Sequence, residues 1–413
     1  MNKEQQAQDL YRKVRQRQLA DFRKRMPDDR QGVEFEINGT KYIAAIRRLT
    51  PTECGRLQGV PEWYNWNDIS ETQQYKQYGN GWQCDTIKHC WQYIPKFDRP
   101  LNVWSLFDGM SCASITLKEL GIPIGTFVSS EIDKHAIKAE KQNFPDMIQV
   151  GSVTDINVPE LVEKYGVPDF LCGGSPCQSF SFSGKMKGMS TAQGEEIYTL
   201  DRYLELKAQG FEFEGQSYLF WEYMRILTEL RKYNPDIYFF LENVEMLDKW
   251  ERCLSHAIGV RGVHINSALV SAQQRKRIYW SNIRVKDLGI TSLFDELNDD
   301  PFELPRFQTD IPQPEDRGIV IKDILQETAD GKYYLKDDVV AKLIEKTDKG
   351  KLKDYILEPQ VSIQEALDYM ASKEEYSSLS EEERQELATL GYTLEKQRLH
   401  DNYYGKERSF LDQ

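Results

Sequence analysis

One of the seven cysteines of this chain stands in a setting that suits a nucleophile. The segment Asp169-Phe170-Leu171-Cys172-Gly173-Gly174-Ser175-Pro176-Cys177-Gln178 reads as an apolar strand ending in two glycines, after which Pro176 stiffens the backbone just before Cys177. Thiolate is the reactive form of cysteine, and a free thiol at the carboxyl end of a strand lies where open α/β sheets bind their ligands. Cys172, inside the strand, reads instead as a buried structural thiol. The stretch 179–189, rich in Ser, Gly and Lys, has the composition of a loop able to close over a substrate, with Lys185 and Lys187 suited to phosphates.

Other strand ends carry groups that would complete such a site. Tyr238-Phe239-Phe240-Leu241-Glu242-Asn243-Val244 finishes in a carboxylate that a buried strand does not otherwise tolerate, and which suits a hydrogen-bond donor or general acid. In Gln273-Gln274-Arg275-Lys276-Arg277, alternate arginines on an extended chain point the same way, so Arg275 and Arg277 can reach one site. An ordinary ion-pair network is the plainer alternative for these three. An earlier strand runs into Leu106-Phe107-Asp108-Gly109-Met110-Ser111-Cys112-Ala113, where a glycine and small residues allow a tight turn with backbone amides near a ligand. Glu131 ends the next strand, a position suited to bidentate hydrogen bonding with a ribose diol.

Short apolar strands over 102–107, 125–130, 169–172, 237–241, 263–270 and 278–283 alternate with amphipathic helices such as 134–143, 158–164 and 219–232. That alternation predicts right-handed crossovers and a doubly wound, mainly parallel α/β sheet. Before it, 33–46 reads as a hairpin turning at Asn38-Gly39, and 47–94 as mostly helical. Residues 1–26 carry eight basic side chains against three acidic ones on a helix with an apolar side at Leu10, Val14 and Phe22. The two readings of that helix are a solvated face and a phosphate-contacting arm. After about 283 the pattern is lost, with short strands expected near 318–321 and 333–335 and a later helix opened by a Ser380…Glu383 capping box.

With 40% hydrophobic and 29% charged residues among 413, the chain reads as a globular protein of two units. No apolar run reaches the length of a membrane span and no secretory signal opens it, so a cytoplasmic setting without membrane is expected. The cysteines show no zinc spacing, so reduced thiols and no metal are expected. The net charge of −13 cautions against nucleic acid as partner, although a local basic cleft suffices.

Taken together, these blocks resemble the DNA cytosine C5 methyltransferase family. Four of its blocks stand in order from Leu106 to Arg277: the cofactor turn 106–111, Pro176-Cys177-Gln178, Glu242-Asn243-Val244 and Gln273–Arg277. The family's last two blocks stand at the other end. Arg48-Leu49-Thr50-Pro51-Thr52-Glu53-Cys54-Gly55-Arg56-Leu57-Gln58-Gly59 is similar to the penultimate block, and Gln77-Tyr78-Gly79-Asn80-Gly81 to the closing one. The resemblance is therefore to a circularly permuted member, prokaryotic or virus-encoded, with a Rossmann-like fold and a smaller mixed target-recognition domain.

The resemblance implies that Cys177 attacks C6 of a cytosine flipped out of double-stranded DNA, that Glu242 binds the ring, and that Arg275 and Arg277 orient it. It implies a methyl group taken from S-adenosyl-L-methionine. Phe107, Gly109, Met110, Ser111, Glu131, Ile132, Ser152, Val153, Asp155, Pro176, Asn80 and Gly81 would lie against that cofactor, and Gln178, Ser179, Ser181 and Asn243 beside the substrate. Ser152 stands where the family carries an acid toward the adenine amine, with Asp155 as the alternative. Ser111, Cys112 and Ala113 replace glycines common in the turn. The implied division is 1–46 with the recognition domain, 47–96 packing on the catalytic domain, 97–285 catalytic, and 286–413 for target recognition. Methylation of tRNA cytosine and a catalytically silent DNA-binding homologue are the competing readings. The stretch 187–215 is longer than the family's and has no assigned role. The sequence leaves open the DNA site read, a restriction-modification or solitary setting, and a partner chain or second copy.

Overall fold

The computed structural model describes residues 2–25, 32–37, 40–176, 189–289, 302–346 and 363–404, and divides into two compact units. One comprises 1–50 with 326–413, the other 51–325. Cys177, Gln178, Ser179, Ser181, Lys185, Lys187 and the Asn38-Gly39 turn lie outside the described residues.

In the first unit the helix Lys3–Arg25 buries Ala7, Leu10, Tyr11 and Val14, the i, i+3, i+4, i+7 spacing of one helical face. They pack on Ala366, Met370, Leu387 and Ala388 of the helices Ile363–Ala371 and Glu381–Tyr404. Tyr11 donates to the carbonyl of Ala388 at 2.8 Å, and Gly391 makes this approach possible: a Cβ there would lie 2.4 Å from the Tyr11 ring. Two of the helix's cations meet acids outside the helix, Lys3 with Glu386 and Lys13 with Glu375. Strands β1 (Val33–Ile37) and β2 (Thr40–Ala44) form the expected antiparallel pair. The capping box is present, with Ser380 N on Glu383 Oε2 at 2.8 Å and Glu383 N on Ser380 Oγ at 3.2 Å. The short strands expected near 318–321, a stretch of the other unit, and near 333–335 do not form. Asp323 accepts the Val320 amide and starts the turn Ile321–Ile324, while Asp330 caps Gly331–Tyr333, leaving one isolated bridge between Arg47 and Tyr334.

The second unit is built on a seven-stranded sheet. Its first strands are β3 (Leu101–Leu106), β4 (Ile124–Ser130), β5 (Ile148–Gln149) and β6 (Phe170–Gly174). A separate short pair follows, β7 (Ser190–Thr191) with β8 (Phe213–Glu214), and then β9 (Tyr238–Val244), β10 (Val263–Asn266) and β11 (Lys276–Ser281). The order is β10-β11-β9-β6-β3-β4-β5. From β9 to β5 all neighbours are parallel, and β11 and β10 run antiparallel. Successive side chains feed two cores. Trp104, Leu106, Leu171, Phe239, Leu241, Ile278 and Trp280 face one, and Val103, Phe170, Cys172, Phe240 and Tyr279 the other. Both faces being covered is the condition for parallel strands.

The first core is closed by the helices Leu200–Ala208, Phe220–Leu230 and Asp248–Ile258. The second is closed by Cys112–Glu119 and by Cys84–Trp91, which comes from the segment ahead of the sheet. Trp91 is fully buried and meets Phe170 and Phe240 edge-on, at 5.0 and 5.5 Å between ring centres. The boundary expected near 285 falls inside this unit. Ser281 N donates to Thr309 Oγ1 at 3.0 Å and Ile311 enters the second core, so the chain past 302 returns to the sheet. Among the described residues no helix is long and apolar enough to cross a membrane.

Candidate active site

A cavity of about 490 Å³ opens at the carboxyl ends of β3, β4, β6 and β9. Strand β11 runs antiparallel to β9, with Arg277 opposite Val244 and Tyr279 opposite Glu242, so its beginning lies beside the ends of the parallel strands. That topology puts Arg275 and Arg277 on the same cavity as Phe107 and Glu131.

At the β3–β4 side the backbone makes the shape. Phe107, Gly109 and Ser111 take φ of 56°, 60° and 62°, three left-handed residues at alternate positions. Glu131 is gripped by three amides: Gly109 N on Oε2 at 2.8 Å, and Ile132 N and Asp133 N on Oε1, each at 2.7 Å. The turn thus rests on a carboxylate whose remaining lone pairs face the cavity it lines. Ile132 lines the same wall with 70% of its surface exposed, an apolar group available to a flat ring. Behind the turn Asp108 accepts from the hydroxyls of Ser105 and Ser129. Burial, with Glu131 nearby, raises its pKa to about 7, and burial next to Asp108 raises Glu140 to about 8. Met110 and Ser111 are buried behind the wall; the carbonyl of Met110 accepts from Tyr64 at 2.7 Å. Ser152 and Val153 line the cavity, whereas Asp155 is exposed and takes a hydrogen bond from Thr154 Oγ1 at 3.1 Å.

At the β9–β11 side the shape comes from side chains. Arg277 Nε meets Glu242 Oε1 at 2.8 Å, both largely buried. Arg275 Nη2 donates to the carbonyl of Gly81 at 2.8 Å and lies 3.5 Å from that of Gly79; burial, with Arg277 beside it, lowers its pKa. Gly81 itself must be glycine, since a Cβ would stand 2.9 Å from the carbonyl of Gln77 and 3.3 Å from Cys112 Sγ. Gly174 is tighter still: its Cβ would fall 2.6 Å from Trp82 Nε1 and 3.0 Å from Glu242 Oε2. Asn243 is buried off the cavity, and its Nδ2 donates to Ser175 Oγ at 3.0 Å, which anchors the approach to Pro176. Cys172 is fully buried, and burial pushes its thiol far up.

The structure brings Asn80, Gly81, Phe107, Gly109, Glu131, Ile132, Ser152, Val153, Pro176, Glu242, Arg275 and Arg277 onto one cavity wall. Sequence reasoning missed Trp82, Asp108, Gln216 and Leu219, which also line it. Trp82 directly follows Asn80-Gly81, an available signal; Gln216 and Leu219 follow the stretch without a role, where nothing in their types marks them.

The chain is 29% identical over 285 residues to the orphan methyltransferase M.Rho11sI of Bacillus phage rho11s, covering 62% of this chain and 50% of that protein. It is 26% identical over 294 residues to the orphan methyltransferase M.SPRI of Bacillus phage SPR, covering 63% and 58%. The chain thus spans about half the length of these relatives. Among solved structures it is similar to the S. pombe Dnmt2 methyltransferase, with 16% identity, a TM-score of 0.38, and coverage of 60% of this chain and 67% of that one. The family model described as C-5 cytosine-specific DNA methylase matches residues 1–96 and 101–259. With most of its length matched in those two stretches, and a mainly parallel sheet bearing the expected groups at its strand ends, the chain belongs to the C-5 cytosine-specific DNA methylase family.

Proposed function

We propose that this protein methylates C5 of cytosine in double-stranded DNA through a covalent adduct on Cys177. The observation that carries the reading is the single cavity on which the Gly174-Ser175-Pro176 approach to Cys177, the Glu242–Arg277 pair and the Phe107–Glu131 end all open. Strand β6 delivers the chain to Pro176 on the cavity wall, and Asn243 holds Ser175; Cys177 is the next residue in sequence. Its thiolate attacks C6 of the cytosine, which makes C5 nucleophilic. Glu242 hydrogen-bonds N3 and the exocyclic amine, and Arg277 fixes Glu242 while orienting the base. Arg275, held by the Gly79–Gly81 carbonyls, keeps the arginine segment in register. Once C5 carries the methyl group, loss of its proton to solvent re-forms the C5–C6 double bond and expels the Cys177 thiolate. The base faces are reached only after extrusion from the duplex.

S-adenosyl-L-methionine, when bound, supplies the methyl group. The residues present fit it: Gly109 offers an amide turn with nothing within 4 Å of a would-be Cβ, Glu131 a carboxylate for a ribose diol, and Ile132 an exposed apolar face. For the adenine amine, Ser152 is the better candidate than Asp155, because it lines the cavity. The same geometry favours a circularly permuted order: Asn80 and Gly81 line the cavity and Cys84–Trp91 closes the second core, while the family match falls in two stretches. Target recognition is assigned to 1–46 with the region from 326 onward, since 1–50 and 326–413 share one compact unit while the described residues between 285 and 325 belong to the sheet-bearing one. Bisulfite sequencing of plasmid from cells expressing the protein, beside a Cys177→Ser control, tests the proposal. Methylcytosine that depends on Cys177 is expected; its absence at every site overturns the reading.

A further inference from the structure

The stretch without a role is part of the first core. Met189, Ile197, Tyr203 and Leu206 are fully buried there, Met189 just before β7, Ile197 between β7 and the helix Leu200–Ala208, and the other two on that helix. From that helix two side chains reach a buried acid on the next one. Glu222, with no exposed side-chain surface, accepts from Tyr203 Oη at 2.5 Å and from Lys207 Nζ, and from Arg225 Nε at 2.8 Å. Both cations then go one step further, to backbone. Arg225 Nη2 donates to the carbonyl of Val153 at 3.1 Å, and Lys207 Nζ reaches that of Thr154 at 3.5 Å.

Val153 lines the cavity, and Thr154 is the next residue of the same turn. Ser152 also lines the cavity, and Val153–Asp155 is a single 3-10 turn, closed by Asp155 N on Ser152 O at 3.1 Å and the longer Ile156 N on Val153 O at 3.5 Å, with Ser152 Oγ capping Thr154 N. A three-residue turn of this kind takes its position from what donates to it. The network thus ends on the backbone of the turn that carries the cavity-lining Val153. We infer that Lys207 and Arg225, fixed by Glu222, are positioning residues that hold the Ser152–Val153 wall and so set affinity for the adenosine part of the cofactor. The 187–215 stretch, where the structure describes it, is then the support for that wall. This inference rests on the reading that S-adenosylmethionine occupies the cavity.

Calorimetric titration of the full chain with S-adenosylhomocysteine and with adenosine separates the two ideas. Lys207→Met leaves Arg225 and Tyr203 on Glu222 and is the variant expected to fold; its melting temperature is checked first. It should weaken both ligands roughly 5- to 10-fold, the scale of one buried hydrogen bond. KM for S-adenosylmethionine should rise by the same factor with kcat within about twofold. Lys207→Arg should restore most of the affinity, and Arg225→Met should match or exceed the loss. A folded Lys207→Met protein with wild-type affinity for both ligands overturns the inference while leaving the proposed function standing. A wild-type protein that binds neither ligand overturns the cofactor reading, and this inference with it.

Discussion

At the β3–β4 end of the cavity the contacts are made by backbone: three left-handed residues in alternation and a carboxylate held by three amides. At the β9–β11 end they are made by side chains, the Glu242–Arg277 pair, Arg275 on two carbonyls, and Trp82 over Gly174. The difference matches the two jobs proposed. A shape made of amides tolerates changes of residue type as long as the turn survives, which is why Ser111 and Cys112 can stand where the family often has glycine. Charge chemistry on a base requires particular side chains in particular protonation states, and tolerates almost no substitution.

The sharpest break in that comparison comes from one carboxylate at each end. Glu242→Gln keeps volume but removes the carboxylate charge paired with Arg277, and kcat for methyl incorporation into DNA should fall by about 10²–10³. Glu131→Gln should act mainly on KM for S-adenosylmethionine, by roughly tenfold, since each lost amide contact is worth about 1 kcal/mol. Equal losses of kcat in both variants would remove the distinction. Where the ends meet, Gly174→Ala forces Trp82 and Glu242 apart. A loss of about 1–3 kcal/mol in denaturant unfolding is expected, together with a lower kcat.

Acid groups under the turn sharpen the comparison further. The folded-state pKa values of Asp108 and Glu140 are raised, to about 7 and about 8, by burial. Their protonated forms are therefore favoured by folding. The stability they contribute is complete below the unfolded values of 3.8 and 4.5 and is lost as pH rises through the folded ones. Wild-type stability should fall between about pH 4 and pH 8. Asp108→Asn should remove about half of that fall, Glu140 carrying the rest, and exceed wild type at pH 8 by roughly 1–3 kcal/mol. Urea melts at pH 5 and pH 8 measure it, and parallel slopes for the two proteins would sink the assignment.

What was legible in the sequence follows the same line. The strands were legible because period-two burial on both faces leaves near-continuous apolar runs, as in Leu101–Leu106 and Tyr238–Val244. The chemistry of the β9–β11 end was legible because it resides in residue types: Glu242, Arg275 and Arg277 all line the cavity. Positions that act through geometry were harder. Met110 and Ser111 belong to the right turn, but alternating left-handed φ sends their side chains into the core. The short strands near 318–321 and 333–335 were lost to Asp323 and Asp330, whose side chains capture backbone amides that a strand would have paired. Trp82 was marked only by its place directly after Asn80-Gly81; the rest of its setting depends on the empty Cβ space of Gly174, ninety-two positions away.

The smallest effect tests the backbone end most directly. Ser111 sits at φ 62°, ψ 49°, a conformation that costs an L residue about 1–2 kcal/mol, and its hydroxyl has only a long contact with Met147 Sδ at 3.7 Å besides Asp108. Ser111→Gly removes that strain, while glycine's greater freedom in the unfolded chain gives back about 0.4–1 kcal/mol. A net gain of about 0.5–1 kcal/mol is expected, read as a melting temperature higher by roughly 1–4 °C, with KM for S-adenosylmethionine within about twofold. Gly109→Ala is the converse. Nothing lies within 4 Å of the added Cβ, so the φ of 60° alone should cost about 1 kcal/mol. Opposite signs for the two variants mean that backbone conformation governs this end of the cavity. A destabilised Ser111→Gly protein would mean instead that the serine hydroxyl, through Asp108, holds the turn, and the two ends would then be made alike.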